Sequence, residues 1–429
     1  METGNGSAKT AGMECPAKDV VPIDAKHIRG LKHFDRLRPL LRRLRPVGCK
    51  RDRAGNRTLH FDEYCSLIIL GFFNPLCRSL RALQQASLLP KVQKQLGVPR
   101  TSLGALSESS HLFDPELLVP IISELGKDLQ PLGQDARLKG LATLMLVDGT
   151  LLKVLPAMMQ ASCLKQATGS GLVPWRLHTE FEVERYVPTR ITLTRDAGDE
   201  TDERVVLERQ VQPDRLYVLD RGYAKFTLFN AIVAAKSSYV CRLRDNSRWE
   251  LQEAKPLSDA ARQADVLSDQ IVRLGASSKA EARPDHEVRV VTIKIQPHQK
   301  RGRAKGGSTG PGSDGVLRLA TNLRDVPAEI IALIYRYRWT IEIFFRFLKH
   351  ELGGLHLLSH DVRGITIQVY CAIIACMLLS LWTGRKPTRR TREMIAYVLM
   401  GWASAEELLA HLAKLHEQDA RKAAQKAAR

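Results

Sequence analysis

The chain has 429 residues, with 65 Lys and Arg against 46 Asp and Glu, which gives a formal net charge of +19. Hydrophobic residues make up 44% and charged residues 26%, so the composition excludes wholesale disorder, a collagen-like fibre and a small disulfide scaffold. The positive excess indicates a polyanionic partner, either nucleic acid or an anionic membrane surface.

The amino-terminal part predicts a flexible tail over residues 1–28 and then a basic, α-helical DNA-binding domain over residues 29–138. Ten Lys and Arg lie between Arg29 and Arg53, as in a solvated tail or in an arm that faces phosphates. The segment VQKQLGVPRTSLGALSESS (92–110) has the order helix, Gly-Val-Pro turn, N-cap, helix. That order fits a DNA-reading helix-turn-helix and equally an ordinary bundle turn, so both interpretations stay open.

From residue 141 the hydrophobic period changes to that of strands. Strands are predicted in LATLMLVDGTLLKVL, VPWRLHTEFEV and VPTRITLTRD, and later in DRLYVLDRGY and SSYVCRLRD. The segments TDERVVLERQV and KFTLFNAIVAAK predict helices between the later strands. Two hairpins followed by βαβ crossovers give an α/β fold, a mixed five-stranded sheet flanked by helices. This is the order of the RNase H-like fold, which we expect over residues 139–246 and 314–383.

Residues 247–313 predict a mostly β insertion, with one convincing strand, HEVRVVTIKIQ, and a mobile basic loop over residues 298–308 that suits contact with phosphates. After the strand VLRLATNL, a single long helix is predicted from Val326 to Leu352. Residues 384–429 predict a helical tail.

One stretch, Ile365–Thr383, holds 19 residues without a charge and approaches the length that crosses a bilayer. It contains Gln368 and Ser380, and the sequence has no second such run. We therefore favour a buried core helix and expect no membrane partner.

Two aspartates follow apolar runs, Asp148 in LMLVDGT and Asp220 in LYVLDRGY. A single aspartate at the end of a strand is usually a cap or a turn former. In the predicted sheet the first and fourth strands are neighbours, so both carboxylates emerge at one edge. A pair of carboxylates there favours a cation site, because a desolvated carboxylate needs compensation.

The helix ALIYRYRWTIEIFFRFLKHEL carries a narrow polar ridge. At 100° per residue, Tyr335, Arg338, Glu342 and Lys349 fall within an arc of about 60°, beside an apolar face. A solvent-exposed ladder of ion pairs has the same geometry. The spacing is Y-(2)-R-(3)-E-(6)-K, and it resembles the signature of the insertion-sequence-four family of DDE transposases. The phrases VDGT, LDRGY and ATNL also resemble that family.

The resemblance implies a catalytic triad of Asp148, Asp220 and Glu342 that holds two Mg²⁺ ions, for which Mn²⁺ could substitute. It implies a bacterial, cytoplasmic and nucleoid-associated enzyme that binds double-stranded DNA at terminal inverted repeats and at target DNA. Cleavage and strand transfer would pass through a hairpin at the element end, and two ends handled together favour a homodimer.

The remaining signature residues are implied as DNA ligands. Tyr335 and Arg338 would grip the backbone near the cleaved end, and Lys349 a neighbouring phosphate. Arg221, directly after the second aspartate, is a further candidate for this role. Two other functions stay open: a nuclease or resolvase without strand transfer, and a catalytically inactive DNA-binding relic.

Overall fold

The computed structural model describes residues 37–48, 55–74, 76–129, 131–132, 135–151, 175–195, 202–275, 283–295, 315–353, 358–359 and 361–427. The helices of these residues are α1 (Leu37–Arg42), α2 (Leu44–Gly48), α3 (Phe61–Phe73), α4 (Leu80–Ser87), α5 (Pro90–Leu96), α6 (Leu103–Leu112), α7 (Val119–Asp128), α8 (Glu203–Glu208), α9 (Phe226–Ala234), α10 (Asp259–Gln263), α11 (Ala328–Arg336), α12 (Trp339–Gly353), α13 (Val362–Thr383), α14 (Arg389–Leu399) and α15 (Ala405–Ala427). The strands are β1 (Thr143–Leu151), β2 (Trp175–Glu182), β3 (Val187–Arg195), β4 (Arg215–Leu219), β5 (Ser238–Arg242), β6 (Trp249–Ala254), β7 (Val266–Leu274), β8 (Val288–Lys294) and β9 (Val316–Thr321).

The described strands form one mixed sheet in the order β3-β2-β1-β4-β5-β9-β8-β7-β6. Strands β1, β2 and β3 are antiparallel neighbours, whereas β1, β4 and β5 run parallel. The helices α8 and α9 make the crossovers between the parallel strands. The predicted mixed α/β architecture is therefore confirmed, including the adjacency of the first and fourth strands.

The sheet is wider than the five strands predicted, because the insertion extends it. Strand β9 pairs with β5 on one side and with β8 on the other, and β7 and β6 follow outward. Pairing with β9 satisfies the backbone groups that β5 would otherwise expose at a sheet edge. The strands β6 and β7 were not predicted, and the basic loop 298–308 lies outside the described residues.

The single long helix predicted from Val326 to Leu352 is also corrected, because the structure divides it into α11 and α12. At the junction the amides of Tyr337 and Arg338 donate to carbonyls three residues earlier, those of Ile334 and Tyr335. Such bonds tighten the helix locally into a 3₁₀-like turn. The apolar face packs as predicted, since Ile334, Ile341, Phe344, Phe345 and Leu348 are buried.

The amino-terminal helices pack on α13, which runs through the interior. By length and composition α13 could cross a membrane, but 94% of its most apolar window is buried inside the protein. Helices α3, α6 and α7 contact it, and the rings of Phe73 and Trp382 lie 5.5 Å apart. The buried core helix that the sequence favoured is therefore observed, and it belongs to one apolar cluster with the amino-terminal helices.

The helix-turn-helix order of residues 92–110 is present as α5, a turn and α6. Gly97 ends α5 in the left-handed conformation with φ of 68°, which glycine adopts without steric cost. The hydroxyl of Ser102 caps α6 by accepting from the amide of Ala105. The far end of α6 is fixed to the segment before α13, where the hydroxyl of Ser359 donates to that of Ser110 at 2.7 Å.

Candidate active site

Asp148 and Asp220 occupy equivalent positions relative to two neighbouring parallel strands, β1 and β4. Val147 of β1 is the register partner of Leu219 of β4, and each aspartate is the next residue in its chain. Adjacent strands lie about 4.8 Å apart. The structure thus brings these two predicted site residues together, by the strand pairing that the sequence indicated.

The Asp148 carboxyl is electrostatically coupled to the other predicted acids. Its pKa is raised to about 6, mainly by burial and additionally by the negative charges of Asp220 and Glu342. The guanidinium of Arg338 and the backbone amide of Gly149 act in the opposite direction. Three acids and one arginine therefore share a single electrostatic environment at this edge of the sheet.

Asp220 is held by groups on two different elements. Its Oδ1 accepts from the backbone amide of Arg221 at 2.7 Å, so Asp220 caps the short 3₁₀ turn Arg221–Tyr223. The same oxygen accepts a long hydrogen bond, 3.4 Å, from the hydroxyl of Tyr335. Tyr335 thus joins the end of α11 to the end of β4.

The third predicted acid, Glu342, lies in the first turn of α12, just after the junction with α11. Arg338 donates from Nη2 to Glu342 Oε1 at 2.5 Å, and its guanidinium lies 5.9 Å from the ring centroid of Tyr335. Burial alone would lower the pKa of Arg338, but Tyr335, Asp220 and Glu342 raise it, and the net shift is upward. The pKa of Tyr335 is raised by burial and by Asp220. Phe344 anchors α12 on the sheet through Phe181, with ring centroids 5.0 Å apart.

Lys349 lies seven residues beyond Glu342, about two helical turns along α12. Burial lowers the pKa of its ammonium, and the Asp148 carboxylate opposes that shift. Lys349 therefore lies within electrostatic reach of the same site. Arg221 contributes its backbone amide to Asp220, as described above.

The fit to a divalent cation can be judged from the donor groups. In the described part of the chain, no three His, Cys, Asp or Glu side chains form a ready metal cluster. Glu342 is paired with Arg338, which supplies the positive charge in this arrangement. The donor set itself consists of carboxylates alone, the hard oxygen ligands that Mg²⁺ prefers. Burial without sufficient compensating charge disfavours the Asp148 carboxylate, and a bound cation would supply that compensation. The residues therefore fit Mg²⁺ chemically.

Sequence reasoning missed a support beside Asp148. A Cβ on Gly149 would lie 2.7 Å from Cδ of Glu203, which is ion-paired with Arg176 of β2. Only a residue without a side chain leaves room for this pair. The signal was present in the sequence, because glycine follows the aspartate directly in VDGT.

Tyr223 is a second residue of the site that the sequence did not predict. This side chain is buried, and its pKa is raised by burial and by the nearby charges of Asp148 and Asp220, while Arg176 opposes the shift. Tyr223 therefore lies near both aspartates. The phrase LDRGY contains it, but an apolar pattern cannot show on which side of the strand end it packs.

Comparison with known proteins shows the family to which the chain is similar. Residues 139–378, more than half of the chain, match the family model described as the transposase DDE domain. A Sinorhizobium fredii protein named as a transposase, y4zB, is 26% identical over 251 residues, which cover 58% of this chain and 64% of that protein. A Geobacillus stearothermophilus protein named as a transposase for the insertion sequence element IS5377 is 26% identical over 241 residues, 54% of this chain and 57% of that protein.

The matched region spans less than two thirds of either relative. Among solved structures, the piggyBac transposase synaptic complex with hairpin DNA superimposes with a TM-score of 0.41 and 10% identity, over 91% of this chain and 80% of that chain. The family match covers both aspartate motifs and the whole α11–α12 region. The chain therefore belongs to the DDE transposases, of the insertion-sequence-four type that its Tyr-Arg-Glu-Lys signature indicates.

Proposed function

We propose that the protein is the transposase of a bacterial insertion sequence, which binds the terminal inverted repeats of its element and catalyses DNA cleavage and strand transfer. The observation that carries the proposal is the convergence of the acids: Asp148 and Asp220 follow register partners on β1 and β4, Tyr335 reaches Asp220, and Arg338 reaches Glu342. The family match over residues 139–378 supports the reaction class. On this basis strands β1–β5 constitute an RNase H-like catalytic core.

Asp148, Asp220 and Glu342 would hold the Mg²⁺ that the family implies. When bound, the metal activates the attacking water or hydroxyl and stabilises the leaving oxygen of a phosphodiester. The protein's own part is to fix the carboxylates: β1 and β4 hold the aspartates in register, and Phe344 keeps α12 against β2.

The cationic side chains beside the acids supply phosphate contacts. Arg338 offers a planar fork for two phosphate oxygens, and Lys349 a point charge about two turns further along α12. Tyr335 positions its hydroxyl next to Asp220, and Arg221 lies directly after Asp220. We propose all four as ligands of the DNA backbone near the cleaved bond.

The amino-terminal helices supply the proposed contact with the terminal repeats, and a homodimer would bring two ends together. The exposed face of α6 carries Glu108 and no Lys or Arg, while α5 carries Lys91 and Lys94. Positive charge for phosphates therefore comes from α5 and from Arg38 and Arg42 of α1 rather than from α6.

The direct test incubates the purified protein and Mg²⁺ with a duplex that ends in the repeats flanking its gene. Joining of that end to a second DNA molecule supports the transposase. Cutting without joining would indicate a nuclease, and binding without cutting an inactive DNA-binding protein. A scrambled-end duplex of equal length is the control for sequence-specific recognition.

A further inference from the structure

A buried ion pair lies in the part of the sheet that the insertion contributes. Arg289 of β8 is 3% exposed and Asp269 of β7 is 6% exposed. The guanidinium donates from Nε to Oδ1 and from Nη2 to Oδ2, both at 2.7 Å. Replacing such a buried pair with apolar residues is often neutral or stabilising, so stability alone does not account for it.

The third nitrogen of the Arg289 guanidinium donates hydrogen bonds to a loop outside the insertion. Its Nη1 donates to the carbonyl oxygens of Leu323 at 3.0 Å, Arg324 at 3.1 Å and Val326 at 2.5 Å. These residues belong to the connection, 322–327, that joins β9 to α11. These three partly buried carbonyls all accept from the same guanidinium, which therefore ties the connection to β8.

Two further groups of the insertion hold the same connection. Lys255 donates from Nζ to the carbonyl oxygen of Arg324 at 2.7 Å. The side chain of Arg324 is paired with Glu287 at 2.5 Å. The point at which α11 begins is therefore set by side chains from β8 and from the segments beside β6 and β8.

The position of α11 matters for the acids. Helix α11 packs on β5 of the core and on β7, β8 and α10 of the insertion, and leads through the tight turn at Tyr337 and Arg338 into α12. Tyr335 contacts Asp220, and Arg338 contacts Glu342. A displacement of the start of α11 would thus be transmitted to the placement of Glu342 relative to the aspartates.

We propose that Arg289 is a positioning residue for the catalytic acid: by holding connection 322–327 it makes the insertion the part that orients α11 and Glu342. This inference deepens the proposed transposase function and rests on it. It assigns the insertion a role inside the catalytic core, apart from any contact of its loop with DNA.

The test compares Arg289→Met, Arg289→Lys and the double variant Arg289→Met/Asp269→Leu with the wild type. Arg262→Met is the matched control, since Arg262 pairs with exposed Asp259 on α10 in the same insertion. We expect faster amide hydrogen exchange across residues 328–342 in both Met variants. Cleavage of an end duplex should fall about ten- to a hundredfold, since small misplacements cost that much. Binding of that duplex without Mg²⁺ should fall much less than cleavage, because the proposed contacts of the amino-terminal helices with the terminal repeat do not involve α11.

The double variant separates positioning from charge balance. If it restores wild-type cleavage and exchange, Arg289 serves only to neutralise Asp269, and the proposal is wrong. Faster exchange confined to 322–327, with cleavage unchanged, would overturn it equally. Lys at position 289 should rescue cleavage in part, because its ammonium can reach some of the three carbonyls.

If the Arg289 variants do not fold, Lys255→Ala weakens the same connection from the surface. It should speed exchange in 328–342 with unchanged thermal unfolding, and unchanged exchange there would contradict the proposal. Should the wild type cleave no DNA at all, the transposase function fails, whereas the exchange measurement still decides whether Arg289 positions α11.

Discussion

Arg338 reaches forward by one helical turn to Glu342, with 2.5 Å between Nη2 and Oε1, while its positive charge lowers the pKa of Asp148 on β1. One guanidinium thus connects the acid of α12 with the acid of the sheet. The arrangement places a cation among three carboxylates, as expected of a site that is built to hold positive charge.

Replacing Glu342 with Gln should remove a metal-binding carboxylate while preserving the size of the side chain. We expect cleavage of an end duplex to fall by about a hundredfold or more, because stabilisation of developing charge is lost. Affinity for the duplex should change little. Glu329→Gln, in the first turn of α11, is the matched control and should retain cleavage. A collapse of affinity together with cleavage would identify Glu342 as a structural residue instead.

Asp148→Asn should stabilise the metal-free protein at neutral pH. The pKa of Asp148 is raised from its ordinary 3.8 to about 6, so its contribution to stability is present below about pH 4 and is lost as the pH rises through 6. The neutral amide avoids that loss, on the order of 1–3 kcal/mol. Thermal unfolding at pH 5 and pH 7.5 measures the effect, and a variant that is less stable at pH 7.5 would contradict the prediction.

Asp202→Asn provides the control of opposite sign. The hydrogen bond from Arg204 holds the pKa of Asp202 at about 2, so its contribution is present above its unfolded pKa and is lost as the pH falls toward 2. This variant should therefore be less stable than the wild type at pH 7.5. The two aspartates together test whether the pH dependence is specific to each site.

Addition of Mg²⁺ should raise the melting temperature of the wild type. Binding to the folded state alone stabilises by about 2.7 kcal/mol at a metal concentration a hundredfold above Kd. Asp148→Asn/Glu342→Gln should show no such rise, whereas Asp202→Asn should respond like the wild type. Chelation with EDTA should abolish cleavage. An equal rise in the double variant would place the metal elsewhere.

Lys349→Ala should weaken DNA binding through the loss of one phosphate contact. The slope of the logarithm of affinity against the logarithm of salt concentration should flatten by up to about one. Binding titrations at several salt concentrations measure this slope. Arg421→Ala, at an exposed position of α15, is the control and should leave the slope unchanged. An unaltered slope for Lys349→Ala would remove this residue from the proposed DNA ligands.

Gly149→Ala should destabilise the protein and impair cleavage, because the added methyl meets Glu203 at 2.7 Å and must displace its pair with Arg176. Overpacking of this kind costs about 1–3 kcal/mol. The control is Gly222→Ala, two residues after Asp220, where nothing lies within 4 Å of an added Cβ. Its melting temperature should match that of the wild type, and equal destabilisation of both variants would refute the steric explanation.

The edge-of-sheet site was predictable because local patterns specify it. The apolar runs before Asp148 and Asp220 predict buried strands, and the order of hairpins and crossovers makes β1 and β4 neighbours. The ridge of Tyr335, Arg338, Glu342 and Lys349 was predicted for one continuous helix, which the structure divides between α11, with Tyr335, and α12, with Glu342 and Lys349. The catalytic and DNA-binding roles of these residues, and the domain boundaries, stay predictions.

The remaining parts of the sheet depend on partners distant in sequence. Strand β6 is largely exposed, and its apolar alternation is limited to Trp249 and Leu251, so its extended conformation depends on pairing with β7. Strand β7 contains Asp269, whose burial depends on Arg289 twenty residues later. The tight turn between α11 and α12 falls inside an uninterrupted helical pattern, which no local residue marks.

The buried course of α13 constrains how the protein can handle DNA. Its 22 residues are buried along most of their length, and they pack against the amino-terminal helices α3, α6 and α7 and against α12. Separating the amino-terminal helices from the rest of the protein would expose α13 to water, at a cost of about 25 cal/mol for each Å² of apolar surface. If the amino-terminal helices bind the terminal repeat, their packing on α13 therefore sets the distance between the recognised base pairs and the cleaved bond.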